Sequence, residues 1–452
     1  MFLTKVTAAF LPFLLLSKNL LACPFNKSVD DKIPEDGVHR RLRGGLASLK
    51  YDKVSQKNLS SFFDEPRRQR SLQDTCVTTT VMSDLREDIR GLANAIVDDG
   101  IRGHFFGGIV RLAAHDFMDY DQNDSSEPGG SDGCIDFTAA DNAGLPDLWC
   151  DDAEACPFKA LYDTYYSGIM SKADFWVASA TKVIEITSPE DNSLVIPFKW
   201  GRVDSDSCPS STSRLPAATG CSDVEACFID RMGLTWTDAT ALMGAHTLGR
   251  GSSEFSGHDG TWVQSDAESV IFDKQYYQEI LNRAWRPNFA DAGTDWIWGG
   301  NALTVMMLNT DICLYFDIPD GDNQDCCTNI EGNCRGIETQ CASASTVRPE
   351  AVNAVDNFLI GNSSNNEVFF AAFSTAWVAA TENGLSNLWE VKDDCSTTPT
   401  ASPTLLPCED VTSFQDRNGN DRDCAWVLSR SRCGRFGEEY CPVSCSMCDT
   451  SS

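Results

Sequence analysis

Metal and proton chemistry in this 452-residue chain must come from few imidazoles, because the sequence holds only five histidines. One lies in TDATALMGAHTLG (residues 237–249), where Ala239, Leu242, Met243 and His246 share one helical face and Thr235 or Thr237 can cap the start. A histidine on an apolar face is commonly a satisfied core residue; the sharper reading is a metal ligand turned into a cavity. A second lies in FFGGIVRLAAHDF (residues 105–117), where Arg111 and His115 stand four apart and project from one helix face into the same space. An unpaired buried guanidinium is costly, so this pair implies a cavity with a ligand.

The elements around these residues read as mainly α. Apolar residues recur at three and four spacing in LREDIRGLANAIV (residues 85–97), FKALYDTYYSGIM (158–170) and FFAAFSTAWVAAT (369–381), while long strand-like alternation is scarce. This helical region extends from Cys76 to Cys395, and 42% hydrophobic residues suffice for a sizeable core.

Both flanks differ in composition. Residues 1–22 carry Lys5, an apolar run and a small residue at Ala22, which reads as a secretory signal too short to span a bilayer; LLAC ending at Cys23 also admits a lipoprotein signal. Residues 23–70 are polar and basic, with RRLR (40–43) and RRQR (67–70) of a type that processing proteases cut, and read as a propeptide; RRLR also fits a short RxLR effector pattern. STTPTASPTLLP (396–407) is a stiff Thr/Pro-rich linker. Residues 408–448 pack Cys408, Cys424, Cys433, Cys441, Cys445 and Cys448 into a small disulfide-rich C-terminal module.

Twenty cysteines, with sequons at Asn26, Asn58, Asn123 and Asn362, fit a secreted, extracellular chain. Setting aside Cys23 and the terminal six leaves thirteen in the helical region, so at least one thiol there is free or paired between chains. A net charge of −30 disfavours nucleic acid and anionic membrane and favours neutral or cationic small substrates.

Seven motifs in order, RLAAHD (111–116), DNAGL (141–145), ADFWVASATKVIE (173–185), PFKWGRVD (197–204), RLPAAT (214–219), MGAHTLGR (243–250) and MMLNTD (306–311), resemble those of the plant, fungal and bacterial haem peroxidases over roughly residues 85–389. The resemblance implies the haem peroxidase helical fold and haem b, with His246 as iron ligand and Asp311 accepting its other ring proton. It implies His115 as general base then acid toward hydrogen peroxide, Arg111 stabilising the charge that develops as the O–O bond breaks, and Asn142 accepting the second ring proton of His115. Trp262, sixteen residues after His246, stands where the cytochrome c and ascorbate peroxidase branch has a tryptophan beside the iron ligand that can relay an electron; as a lone residue it reads equally as core.

Some positions depart from the family. Ala114 replaces the usual Phe or Trp before the distal histidine, which implies a roomier pocket and argues against strong catalase activity. Gly103 and Phe255 replace the basic residues of an ascorbate site, His104, Gly108 and Ser252 the carboxylates of a manganese site, and Ala241 the surface tryptophan of lignin peroxidases. The resemblance further implies two calcium ions, one at Asp116, Gly130, Asp132 and Cys134, the other at Thr247, Asp266, Glu268, Ile271 and Asp273, with an acidic solvated loop as the plain alternative. The terminal module resembles the ShKT toxin-like domain, whose pairing would join Cys408 to Cys448, Cys424 to Cys441 and Cys433 to Cys445. It lacks the lysine of channel blockers, which points to binding an extracellular partner.

The expectation is a secreted enzyme that reduces hydrogen peroxide while oxidising a small phenolic or aromatic donor. The competing reading is a haem-binding or matrix-adhesion protein with a vestigial peroxidase domain, against which the intact Arg111, His115, Asn142, His246 and Asp311 speak.

Overall fold

Side-chain caps decide where the two leading helices begin. In the computed structural model, which describes residues 76–395 apart from 153–154, 209–212, 253–254, 256–257, 289–294, 299–304, 322–323, 333, 335 and 363, together with 414–415 and 421–422, the described region is mainly helical. Helix α1 (Thr79–Asn94) starts where the Thr78 hydroxyl accepts the Val81 amide, and α2 (Asp99–Phe117) where Asp98 accepts the Ile101 amide. Each cap satisfies an amide that the helix itself cannot. Helix α2 buries Phe105, Ile109, Leu112 and Ala113 and packs most heavily on α3 (Lys172–Thr187), itself buried on nearly every side.

Helix α4 (Trp236–Met243) begins with a reciprocal box: Thr235 accepts the Asp238 amide and Asp238 accepts that of Thr235. At Gly244 the α-helix tightens to a 3-10 turn, Gly244–Thr247, so His246 sits on that turn and not on the helical face that its spacing predicts. Packing requires glycine at this junction: a side chain at Gly244 would collide with Tyr277 and Phe369. After the turn, Gly249 adopts φ +81° and its Cα would lie 3.0 Å from a Cβ at Gly107, so α2 and the chain beyond His246 meet backbone to backbone.

Helix α5 (Gln275–Asn282) then leads to a three-stranded antiparallel sheet, β1 (Trp285–Pro287), β2 (Asp295–Trp298) and β3 (Met306–Leu308). Strand β3 runs straight into the short helix α6 (Asn309–Ile312), which carries Asp311. Helices α7 (Pro349–Phe358) and α8 (Glu367–Glu382) close over α4. Two of the motifs that carry the resemblance act as struts: Arg202 pairs with Asp174 at 2.9 Å, both buried, and bonds the Thr381 carbonyl, tying α3 to α8. Residues 158–170 are not the single helix predicted, for Pro157–Leu161 widens into a π turn at Tyr162–Tyr166.

Twelve of the thirteen cysteines pair, as Cys76–Cys395, Cys134–Cys208, Cys150–Cys156, Cys221–Cys313, Cys326–Cys341 and Cys327–Cys334. The odd thiol is Cys227, buried under α2's C-terminal end beside the Met118 carbonyl. The signal, propeptide and linker readings and the three terminal disulfides lie outside the described residues. Among the described residues no helix is long and apolar enough to cross a membrane.

Cys76–Cys395 joins the first and last described residues of the helical region across 319 positions. Because a long loop loses most entropy on closure, Cys76→Ser with Cys395→Ser should cost about 2–5 kcal/mol of stability, read as an earlier denaturant midpoint with a steeper slope, since the unlinked unfolded chain exposes more surface.

Candidate active site

A cavity of about 570 Å³ opens between α2, the turn after α4 and strand β3, and all four described histidines, His104, His115, His246 and His258, line it. On α2 the His115 ring is held at both nitrogens. Its Nδ1 lies 2.7 Å from Asn142 Oδ1, and its Nε2 accepts from Arg111 Nε at 3.2 Å. Asn142 is oriented in turn, since its amide donates to the Asp136 carbonyl at 3.0 Å. With the amide oxygen facing the ring, Nδ1 carries the proton and Nε2 is left as the acceptor.

Burial, and then the Arg111 charge, pushes His115 down to about 3, with the Asn142 bond acting the other way. His115 is therefore neutral across the physiological range. Arg111 spends its other donors on backbone carbonyls, 2.8 Å to Ala143 and 2.6 Å to Asp141, which aims the guanidinium at the cavity. Burial lowers it to about 10, opposed by the Asp141 charge, and it stays a cation at neutral pH. Burial, then Arg111 and Arg250, also lowers His104 to about 4.

His246 has a different partner. Its Nδ1 donates to Asp311 Oδ1 at 2.8 Å, leaving Nε2 as the nitrogen a metal can use. Trp262 stacks on the imidazole, centroids 4.4 Å apart and planes at 23°, and its Nε1 donates to Asp311 Oδ2 at 2.7 Å. Two further donors were not legible in the sequence: the Tyr276 hydroxyl, 2.7 Å from Oδ1, and the Leu308 amide, 2.7 Å from Oδ2. Asp311 is wholly buried, which raises a carboxyl, yet the His246 charge and these bonds hold it below its ordinary value. Tyr276 is pushed well above its ordinary range by burial and then by the Asp311 charge, so it remains a donor.

This donor set fits haem: an apolar cavity within the size range of cofactor sites, an imidazole whose second nitrogen is tied to a buried carboxylate, and the Arg111–His115 pair lining the same cavity. Ala114 lines the cavity in place of a bulkier residue.

The calcium residues gather only in part. Asp116 accepts the Gly133 and Cys134 amides at 3.0 Å each, Asp132 also accepts that of Cys134, and the Gly130 carbonyl takes the Asp132 amide. Cys134 is corrected as a ligand side chain, because its sulfur is bonded to Cys208. In the other set the Thr247 hydroxyl lies 3.3 Å from the Ile271 carbonyl and 3.4 Å from Asp273. Asp266 is instead drawn to Arg250 and Glu268 to Ser265. Among the described residues no cluster of three or more His, Cys, Asp or Glu is arranged to hold a metal ion.

The family model described as Peroxidase matches residues 86–319. The chain is 31% identical over 260 residues to a mitochondrial cytochrome c peroxidase of Emericella nidulans, covering 54% of this chain and 66% of that protein. It is 37% identical over 178 residues to L-ascorbate peroxidase 3 of Arabidopsis thaliana, covering 38% and 55%. Against a cytosolic L-ascorbate peroxidase 2 of Oryza sativa subsp. japonica it is 34% identical over 179 residues, covering 38% and 64%. The chain thus spans less than two thirds of the length of these relatives.

Asp311 Oδ1 is shared between His246 and Tyr276, so deleting the phenol hydroxyl should leave more negative charge facing the imidazole and make it a stronger ligand. In haem-loaded protein, Tyr276→Phe should lower the ferric/ferrous midpoint potential. Tyr277→Phe, which removes an equally buried hydroxyl that donates to the Thr240 carbonyl and does not reach Asp311, should leave it in place.

Proposed function

The chain belongs to the peroxidase family, and from that premise we propose that it is a haem-dependent peroxidase, reducing hydrogen peroxide to water while oxidising a small phenolic or aromatic donor. The observation that carries the reading is the pairing within one cavity of an imidazole kept neutral beside a guanidinium, Arg111 to His115, and an imidazole kept on a buried carboxylate, His246 to Asp311. Haem held through His246 Nε2 would supply the iron that binds peroxide and the electrons that reduce it.

The protein's share is proton handling. His115 Nε2, kept proton-free by the Asn142 bond to Nδ1, takes a proton from peroxide and returns it to the departing oxygen. Arg111, anchored on the Asp141 and Ala143 carbonyls, needs no reorganisation to stabilise negative charge on that oxygen. Asp311 fixes the His246 ring in the tautomer that leaves Nε2 for iron.

Six disulfides in the helical region support secretion as part of this proposal. Calcium is supported best where the Thr247 hydroxyl, the Ile271 carbonyl and Asp273 converge. If that loop takes the ion, added calcium should raise the thermal midpoint of the protein and a chelator lower it, with Asp273→Asn abolishing the difference.

His115→Ala should slow peroxide consumption by on the order of 10²–10⁴-fold, and Arg111→Leu should also slow it, both with the haem absorption band retained. Because only the neutral His115 ring can accept a proton, the rate should be flat down to mildly acid pH and fall as pH drops through about 3. Unchanged turnover in His115→Ala would remove the basis of the reading.

A further inference from the structure

The cavity holds a second imidazole–carboxylate pair that peroxide reduction leaves unused. His258 Nδ1 is hydrogen-bonded to Asp295 Oδ1, both side chains are largely buried, and His258 lines the same cavity as Arg111 and His246. Asp295 is firmly placed. It opens β2 opposite Leu308, the residue whose amide bonds Asp311, and its own carbonyl accepts the Asn288 amide. His258 is positioned by the bridge between Gly251 and Gly260 and by the Thr261 carbonyl accepting the Met306 amide. A carboxylate on Nδ1 keeps the ring proton on that side and makes Nε2 the accepting atom.

The same cavity offers an aromatic wall. The Phe255 ring lies 6.1 Å from that of His104, tilted by 30°, and fits against Gly144, whose Cβ would come within 3.0 Å of it. Charge decides which form of a donor arrives. At a net −30 the chain repels phenolates and carboxylates, so a phenol enters protonated, with an ordinary pKa of about 10. Removing an electron from a neutral phenol leaves a strongly acidic O–H, and a base in place lets the proton depart with the electron.

We propose that His258 is the proton acceptor for a phenolic donor seated against Phe255, and that Asp295 holds it in the accepting tautomer. This deepens the peroxidase reading and rests on it, because peroxide is the oxidant. In each event the phenol O–H bond breaks, its proton passes to His258 Nε2, its electron goes to the centre that peroxide has oxidised, and a phenoxyl radical leaves. Two such events deliver the two electrons and two protons that turn hydrogen peroxide into two molecules of water.

The holoenzyme is tested with two donors: p-cresol, which must lose a proton, and N,N,N′,N′-tetramethyl-p-phenylenediamine, which gives one electron and has no proton to lose. His258→Gln should slow p-cresol oxidation by on the order of 10²-fold and leave the diamine rate within about twofold. Asp295→Asn should slow p-cresol oxidation less. Calorimetric binding of p-cresol to the resting His258→Gln protein should persist, which separates proton transfer from donor docking. Equal losses with both donors, unchanged p-cresol oxidation, or loss of p-cresol binding along with rate would each overturn the proposal. A wild-type protein that consumes no peroxide with either donor would instead overturn the peroxidase reading.

Discussion

The buried charge of Asp311 is the constraint around which the rest of the site is arranged. A carboxylate without solvent is expensive unless its oxygens are all engaged, and it has room for about four hydrogen bonds. Asp311 receives four, all at 2.7–2.8 Å: from His246 on the turn after α4, from Trp262, from Tyr276 on α5, and from Leu308 at the end of β3. Displacing any one of these elements would leave a buried charge short of a donor. The register of the β sheet, the pitch of α5 and the tightening of the chain at Gly244 therefore converge on one atom group.

The cavity then gets two chemistries from one side-chain type by changing the partner at Nδ1. Opposite His115 stands a neutral amide, which accepts the ring proton without adding charge, so burial and Arg111 keep the ring a neutral base. Opposite His246 stands an anion, which lends the ring negative character and suits it to a metal that must reach oxidised states. The two networks do not compete for partners: Arg111 and Asn142 rest on backbone carbonyls from residues 136–143, whereas Asp311 is satisfied by side chains and one amide from residues 246–308.

What the sequence made legible follows that division. Arg111 and His115 lie four apart on one helix and could be read as a pair; His246 and Asp311 were visible through ordered motifs that the resemblance interprets, and Trp262 through its spacing from His246. The helical class was legible from apolar spacing in residues 369–381, and cysteine parity required an odd thiol without naming Cys227. The 3-10 turn under His246 was hidden, because the close packing that admits only glycine at position 244 comes from Tyr277 and Phe369, distant in sequence. Tyr276 gave no signal, standing beside an equivalent Tyr277 in QYYQEILN; only tertiary packing decides which hydroxyl reaches Asp311. The calcium reading suffered for the opposite reason: carboxylate spacing was conspicuous, but backbone amides, Arg250 and Ser265 had prior claim on several of those oxygens.

The peroxide half and the donor half of the site also differ in how tightly the fold determines them. Groups that handle peroxide are partly buried and each held by named partners, so replacing one leaves a neighbouring polar atom without its bond. Positions such as Ala114, Ser252 and Phe255 also line the cavity, and their side chains face the molecule that enters. His258 and Asp295 are the exception, a donor-side pair built with the economy of the interior: thirty-seven residues apart in sequence, joined through a sheet that also presents Leu308 to Asp311. A chain so acidic selects against anionic donors before they reach the cavity, and a donor that arrives neutral brings its proton along. The disposal of that proton is then a task for the wall of the cavity, and Asp295 makes one histidine of that wall suited to it.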